Sequence, residues 1–172
     1  YSRALLQNGA CQVIAIDKDP TTKVFLHSIQ NEYGDMIKFY NQSYADMEKN
    51  DDIAGRDDIC GIVLDLGVSS MHFDNPLRGF SFRESGPLDM RMGDQPGPTA
   101  FEIINLCSET TLADLIFFYG QERKARKIAN RIVKERKKRK INTTLELAEI
   151  VRAIVSKNSN KDPATRTFQA IR

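Results

Sequence analysis

The sequence predicts an α/β fold that gives way to a region of helices alone. From residue 1 to about residue 70, strand-like apolar runs alternate with helical patterns, and two of these runs end in aspartate. Helix-start patterns then recur from Thr99 onward, which predicts helices for most of the remaining chain. Hydrophobic residues make up 41% and charged residues 28% of the 172 residues, so a packed core is expected and wholesale disorder is not.

The α/β part is predicted to alternate helix and strand. The elements cover, in order, residues 2–7, 12–17, 20–34, 36–40, 44–49 and 60–66. Asn8-Gly9 is a common helix end, and Pro20 a common helix start. The first and third strands are apolar throughout, as are strands covered on both faces of a parallel sheet. The second helix carries Val24, Phe25 and Ile29 on one face.

Residues 67–98 are rich in glycine and proline and predict a structured loop, of a length that usually carries function. Capping boxes at Thr99-x-x-Glu102 and Thr143-x-x-Glu146, and a weaker one at Thr111-x-x-Asp114, predict helices beyond it. Two helices carry apolar stripes, formed by Ala125, Ile128, Ala129, Ile132 and Val133 and by Leu147, Ala148, Val151, Ile154 and Val155. A polar linker over 157–161 and an amphipathic helix from residue 165 follow.

Cysteine usage and hydropathy restrict the class of protein. Cys11, Cys60 and Cys107 lie about 50 residues apart without a C-x-x-C pair, which predicts reduced, buried thiols in a cytoplasmic protein. The two histidines are isolated and predict no metal site. No apolar run is long enough to cross a bilayer, so no membrane partner is expected. The chain lacks an initiator Met and a final helix stop, and we expect it to be a fragment.

Positive charge is concentrated in one predicted helix. Residues 121–140 contain 11 lysines and arginines and two acids, a local charge of +9, whereas the whole chain carries +2 and its remainder therefore −7. This asymmetry favours a phosphate backbone as the partner, with Lys124, Arg126 and Arg131 as candidate contacts. A solvated helix face without a partner is the alternative.

Two acids follow predicted strands and are candidates for a cofactor site. Asp17 ends the first strand, where nucleotide-binding folds hold a ribose diol, although an acid that only caps the next helix gives the same pattern. Asp65 ends the third strand, followed by Gly67 and the hydroxyls of Ser69 and Ser70. Because parallel strands end at one edge of a sheet, the sequence predicts that Asp17 and Asp65 face one cleft.

The loop after residue 74 interleaves aromatic and basic side chains. Phe80 and Phe82 lie among Arg78, Arg83 and Arg91. This pattern predicts stacking faces and phosphate donors for a splayed-out base. A hydrophobic plug with solvated arginines is equally consistent with it.

Motifs along the chain occur in one collinear order: Val63-Leu-Asp-Leu-Gly-Val-Ser-Ser-Met71, Arg78-Gly-Phe-Ser-Phe82, Gly86-Pro-Leu-Asp-Met-Arg-Met92, Tyr119-Gly-Gln-Glu122 and Pro163-Ala-Thr-Arg-Thr-Phe-Gln-Ala170. Together they resemble the bacterial 16S ribosomal RNA (cytosine-N4)-methyltransferase family. The resemblance implies a partial Rossmann-like class I methyltransferase core with an inserted α-helical domain. It divides the chain into core over 1–72, loop and helical insertion over 73–162, and the start of the return to the core over 163–172.

The same resemblance implies a cofactor, a substrate and roles for single residues. The cofactor is S-adenosyl-L-methionine, and the substrate is a cytosine N4 amine of 16S ribosomal RNA in the small ribosomal subunit. Asp17 matches the ribose-binding acid, Tyr44 an aromatic beside the adenine, and Asp65 the acid of the cofactor pocket, which is also the candidate catalytic acceptor. Ser2 matches the end of the family's glycine-rich motif, and His72 stands where many members have Gln.

The glycine-rich motif and later strands of the family are not in these 172 residues, and we expect the fragment alone to bind cofactor weakly or not at all. A nicotinamide-dependent oxidoreductase would share the strand-end acid but needs G-x-G-x-x-G about 20 residues before Asp17. A non-catalytic RNA-binding module built on the helices is the other alternative.

Overall fold

The computed structural model describes residues 1–93, 97–156 and 161–172, and divides them into two compact units. One unit comprises Tyr1–Asp65 with Met92 and Gly93, and the other comprises Leu66–Arg91 and the described residues from Gly97 onward. This division groups residues 66–72 and 163–172 with the helices, whereas the family resemblance implies that they belong to the core, and the implied domain bounds stay a prediction. Most of the predicted linker over 157–161 lies outside the described residues.

The first unit is built on two parallel strands. Strand β1 pairs with β2 in a register that aligns Val13 with Ile37 and Ile16 with Tyr40. The elements of this unit are α1 (Ser2–Gln7), β1 (Val13–Ile16), α2 (Lys23–Tyr33), β2 (Ile37–Tyr40) and short 3-10 helices at Pro20–Thr22, Gly34–Met36 and Tyr44–Lys49. The predicted order of helix, strand, helix, strand and short helix is confirmed up to residue 49.

The third predicted strand is wrong. Residues 60–66 form no strand, and β1 and β2 are the only strands among the residues described. The side chains of Val63, Leu64 and Leu66 are 54%, 58% and 64% exposed. A strand of a parallel sheet needs a neighbour for its backbone groups and a cover for each apolar face. Residues 60–66 have no described strand beside them, and all seven are exposed.

Burial was also predicted for groups that the structure leaves exposed. Cys11 and Cys60 are exposed, and Cys107 is half-buried, so the expectation of buried thiols is wrong for the first two. Val24 and Phe25 on α2 are likewise exposed, whereas Ile29 on the same predicted face is partly buried.

A small cluster joins β2 to the segment that follows the Tyr44–Lys49 turn. The Asp52 carboxylate accepts hydrogen bonds from Lys38 Nζ, at 2.7 Å, and from the Tyr40 hydroxyl. The hydrogen bonds from Lys38 and Tyr40 lower the pKa of Asp52. The hydrogen bond to Asp52 in turn raises the pKa of Lys38 and of Tyr40.

Replacing Asp52 by Asn is expected to lower the free energy of unfolding only at pH values where Asp52 is ionised and Lys38 and Tyr40 are protonated. A depressed carboxyl pKa contributes stability that is present above the unfolded value of about 3.9 and is lost as the pH falls through the folded value. The raised pKa values of Lys38 and Tyr40 contribute stability that is present below about 10 and is lost as the pH rises through their folded values. Urea midpoints of wild type and variant over a pH series test this.

The exposed neighbour Asp51 provides a matched control for that series. Asp51→Asn removes the same charge without removing an acceptor of either hydrogen bond. The urea midpoint of Asp51→Asn is expected to differ little from that of wild type at every pH. A difference between wild type and Asp52→Asn that did not shrink in acid would show that the cluster contributes nothing through ionisation.

The second unit is helical. Its described helices are α3 (Ser70–Asp74), α4 (Ala100–Leu106), α5 (Glu109–Phe118), α6 (Ala125–Lys138), α7 (Thr144–Arg152) and α8 (Thr165–Ile171). The predicted apolar stripes form its core: Ile128, Ala129, Ile132, Leu147, Ala148 and Val151 are fully buried. No helix in the described parts of the chain is long and apolar enough to span a membrane.

Local capping signals locate the helix starts in this unit. Thr99 and Thr143 each form the predicted capping box, with Glu102 and Glu146 bonding back to the cap. The box predicted at Thr111 is wrong, because the cap of α5 is Ser108, whose hydroxyl accepts from the Thr111 N–H at 3.0 Å. Serine is as good a cap as threonine, and here it lies three residues earlier.

Candidate functional site

The carboxyl ends of β1 and β2 form one edge of the parallel sheet, and predicted cofactor residues follow both strands. Asp17 comes directly after β1, and its N–H donates to Tyr40 O at 3.2 Å. Asn41 follows β2, and its amide donates to Asp17 O at 2.9 Å. Tyr44 begins the next 3-10 helix on a cap made by Ser43. The structure therefore brings Asp17 and the residues that lead to Tyr44 to the same sheet edge.

The side chains at this edge are accessible. One carboxylate oxygen of Asp17 accepts the Asp19 N–H at 2.8 Å, which shapes the turn into α2. The Asp17 side chain is partly buried, and that of Tyr44 is 53% exposed. A carboxylate beside an exposed aromatic ring suits a nucleoside, because the carboxylate accepts from the ribose hydroxyls while the ring contacts the base. Sequence reasoning missed Asn41, whose only signal was its place after a strand.

Ser2 and Asp65 are not joined to that edge. Ser2 begins α1 and is partly buried, and Asp65 ends the irregular, exposed segment that was predicted as a strand. Within the described part of the chain, no hydrogen bond or ion pair links either residue to Asp17. The prediction that Asp17 and Asp65 share a cleft depended on the third strand, which does not form. The cofactor roles of Ser2 and Asp65 stay predictions.

His72 belongs to the helical unit and is buried there, with 7% of its surface exposed. Its Nδ1 accepts the Ser69 N–H at 3.0 Å, and its ring packs on Phe80 at a centroid distance of 4.9 Å. These contacts give His72 a structural role at the start of α3. Its predicted cofactor contact stays untested.

Residues 76–92, within the loop that is rich in glycine and proline, are folded and fixed to the starts of two helices. Leu88 O and Asp89 O accept the first N–H groups of α4, at 2.6 and 2.8 Å. Gly86 O accepts the Thr144 N–H of α7 at 2.9 Å, and the Gly86 N–H donates to Thr144 Oγ1 at 3.1 Å. The loop thereby satisfies N–H groups that every helix start leaves without an intrahelical partner.

The aromatic residues of the loop pack into the protein and are not exposed for contact with a base. Phe80 is fully buried, and Phe82 is half-buried with its ring 4.6 Å from that of Phe168 in an edge-on arrangement. The predicted base-stacking role is therefore wrong for Phe80, which has no accessible face, and the hydrophobic-plug alternative holds for it. For Phe82 the packing favours the same alternative.

The arginines of the loop lie closer to its surface. Arg78 lies over the Phe80 ring at 5.7 Å and donates to Arg91 O at 3.1 Å. Arg91 forms a two-pronged ion pair with Asp89, at 2.7 and 2.8 Å. The Arg91 guanidinium lowers the pKa of Asp89 and keeps that carboxyl ionised. Both arginines thus contribute to the shape of the loop, and their predicted RNA contacts are not tested by it.

The cations of the basic helix divide into those that support the fold and those that line a groove. Arg136 reaches across to α4 and donates to Ile104 O and Cys107 O at 2.6 and 2.5 Å. Lys124 donates to Ile154 O at 3.1 Å. A groove of about 370 Å³ lies along the exposed face of α6, lined by Arg126, Lys127, Asn130, Arg131, Lys134 and Ile154. Two of the predicted RNA-binding residues, Arg126 and Arg131, line the groove. The third, Lys124, binds the backbone of the lining residue Ile154.

Comparison with known proteins adds an independent finding. A family model described as the MraW methylase family matches residues 1–172. The chain is 46% identical over 173 residues to a protein named ribosomal RNA small subunit methyltransferase H from a Wolbachia strain of Drosophila simulans. Proteins of the same name from Rhodospirillum rubrum and Orientia tsutsugamushi are 44% and 47% identical over 173 and 177 residues.

These similarities cover all of the present chain and part of each relative. The matched regions make up 59%, 53% and 56% of the Wolbachia, Rhodospirillum and Orientia proteins. The chain therefore spans little more than half the length of the relatives that it matches.

Proposed function

The chain belongs to the MraW methylase family, and from this premise we propose that the whole protein is an S-adenosyl-L-methionine-dependent methyltransferase. Its proposed substrate is the N4 amine of a cytosine in 16S ribosomal RNA of the small ribosomal subunit. The family carries a class I methyltransferase fold, and β1, α2 and β2 supply one strand–helix–strand unit of it. That the helical unit is an insertion into this fold is part of the proposal.

One observation supports the cofactor assignment above all others: Asp17 and Tyr44 follow adjacent parallel strands at one sheet edge. Open α/β sheets bind their ligands at the carboxyl ends of their strands. The donor set fits S-adenosyl-L-methionine, because the Asp17 carboxylate would accept from the ribose hydroxyls and the exposed Tyr44 ring would contact the adenine. Ser2, in the same unit, is proposed as a further cofactor contact, and the cofactor role of His72 stays a prediction from the family resemblance.

The cofactor, when bound, supplies an electrophilic methyl group. The chain's own residues have to hold the acceptor nitrogen in line and make its lone pair available, since that pair is delocalised into the cytosine ring. A carboxylate against the N4 hydrogens favours a tetrahedral, nucleophilic nitrogen. Asp65 is proposed for this role, and an orienting contact with the cofactor is the alternative role for the same side chain. The target base has to be unpaired or flipped to reach such a site.

The function is tested with the full-length protein, radiolabelled S-adenosyl-L-methionine and small ribosomal subunits that lack the modification. The expected result is label in 16S ribosomal RNA, at a cytosine whose methyl group mass spectrometry locates on N4. Label on a ring carbon or on another base would contradict the proposal. RNA binding without any transfer would favour the non-catalytic module, and turnover of a nicotinamide cofactor would favour the oxidoreductase.

Asp65→Asn separates the two roles of that residue. Asparagine keeps one acceptor oxygen but loses the charge and the second acceptor. A neutral acceptor forms a hydrogen bond about half as strong, so a roughly tenfold slower transfer is expected at saturating cofactor. The single-turnover rate and the dissociation constant of the cofactor are measured on the same preparation. If affinity falls in step with rate and saturation restores the rate, Asp65 only orients the cofactor.

A further inference from the structure

The groove on α6 has the composition of an anion site. Four of its lining side chains, Arg126, Lys127, Arg131 and Lys134, are cationic, and none of the described residues that line it is an acid. Carboxylates do contact two lining residues: Glu135 pairs with Arg131 at 2.9 Å, and Glu109 accepts from the Asn130 amide at 3.0 Å. Even with both carboxylates counted, positive charge is in excess. A groove of this kind attracts a polyanion and not a neutral ligand.

The positions of these cations are fixed by the packing of the helix. The opposite face of α6 is buried through Ile128, Ala129 and Ile132, each with no exposed surface. Lys127 and Arg131 are four residues apart and Arg126 and Lys134 are eight, so cations follow one another along this face of the helix at about 6 and about 12 Å. A fixed row of cations matches a regularly charged strand better than a single ion.

The structure also distinguishes these cations from their neighbours in sequence. Arg136 supports the end of α4, Arg139 pairs with Glu146 at 2.5 Å, and Lys140 lies over the Phe101 ring at 5.7 Å. Lys124 binds Ile154 O and so positions the apolar wall of the groove. Four of the eleven cations of the segment are therefore engaged elsewhere, and four of the remaining seven line the groove.

We propose that this groove binds the phosphodiester backbone of ribosomal RNA, with Arg126, Lys127, Arg131 and Lys134 as phosphate contacts and Lys124 as a positioning residue. The inference rests on the proposed function, which makes RNA the substrate. Contacts of this type carry no sequence information. They set the register of the protein on the RNA, and they make binding depend on salt.

The test compares two charge-matched double variants of the full-length protein. Arg126→Gln with Lys134→Gln removes two groove cations, whereas Arg123→Gln with Lys137→Gln removes two exposed cations that flank the groove without lining it. Binding to small ribosomal subunits and to a short single-stranded RNA of mixed sequence is measured between about 50 and 200 mM salt. Cofactor affinity and the melting temperature report on the fold of each variant.

The groove variant is expected to bind RNA roughly tenfold more weakly, and its slope of log affinity against log salt falls by about 1.4, the value for two lost contacts to a single strand. The flanking variant changes affinity by less than about threefold. Equal losses in both variants would overturn the groove assignment, and so would displacement of RNA by polyglutamate at equal charge concentration, which would indicate an acidic protein partner.

Methyl transfer by the wild type distinguishes failure of this inference from failure of the proposed function. If the wild type methylates and the groove variant binds RNA normally, the groove is not the RNA site, and the proposed methyltransferase function stands. If the wild type binds RNA through the groove but transfers no methyl group, the proposed methyltransferase function is wrong, and the groove remains the RNA site.

Discussion

Replacing Gly86 by alanine is expected to lower the free energy of unfolding by about 3 kcal/mol or more. A Cβ atom at this position would lie 2.0 Å from Pro76 O and 3.0 Å from Pro76 C. Both are backbone atoms, so no side chain can rotate away to make room. The loop itself would have to move.

Movement of that loop breaks hydrogen bonds at the start of α7. Gly86 exchanges two hydrogen bonds with Thr144, whose hydroxyl also donates to Glu84 O at 3.1 Å. Thr144 is fully buried, so its polar groups would be left without water if the loop withdrew. An unsatisfied buried group costs about 1–3 kcal/mol in addition to the steric strain. The effect of the substitution is therefore larger than that of an ordinary glycine-to-alanine change.

The matched control is Gly97→Ala in the same unit. A Cβ atom on Gly97 meets no described atom within 4 Å, and the φ of Gly97 does not fall in the left-handed region. Thermal unfolding of the two variants and wild type, followed by circular dichroism, is the measurement. Melting temperatures for Gly86→Ala and Gly97→Ala that agree within error would show that the loop is not held as the structure describes.

The sequence predicted best what local interactions determine. The capping boxes at Thr99 and Thr143 involve only residues within one helical turn, and both form as their spacing requires. The stripe of Ile128, Ala129 and Ile132 likewise follows from helical periodicity, and it is buried. Signals of this kind are complete within a short window of sequence, so no knowledge of the remaining fold is needed to interpret them.

The predictions that failed depend on distant partners. Residues 60–66 have the composition of a buried strand, but a strand forms only beside a neighbour that its own sequence does not specify. Phe80 has the same composition signal whether it stacks on a base or fills a core, and only the fold decides that it is buried. The sequence predicts a basic surface along α6. That Arg136 and Lys124 support the fold and do not line the groove is known only from the contacts of these two side chains in the structure.

The candidate cofactor site falls between these cases. Asp17 was identified because strand-end acids share one edge of a parallel sheet, and the pairing of β1 with β2 confirms that edge. Asn41, which supports Asp17 O from the neighbouring strand, was missed because an exposed asparagine after a strand is common in loops. The sequence thus indicated the principal side chain and not its support.

Asp17→Asn in the full-length protein is expected to weaken S-adenosyl-L-methionine binding by about 100-fold. Asparagine keeps one acceptor oxygen, and the Asp19 N–H needs only one, which it takes at 2.8 Å. The turn into α2 is therefore retained. What is lost is the negative charge and the second acceptor, and a ribose diol needs both because it offers two hydroxyl protons at once.

Calorimetric titration with S-adenosyl-L-methionine and with S-adenosylhomocysteine measures the loss, which is expected to be the same for both because each carries the same ribose. Asp35→Asn is the matched control, since Asp35 is an exposed acid in the same unit but precedes β2 and so lies at the opposite edge of the sheet. Its affinity is expected to equal that of wild type. Equal affinity for the Asp17 variant at an unchanged melting temperature would mean that this carboxylate only caps the turn, and the nucleoside pocket would then have to lie elsewhere.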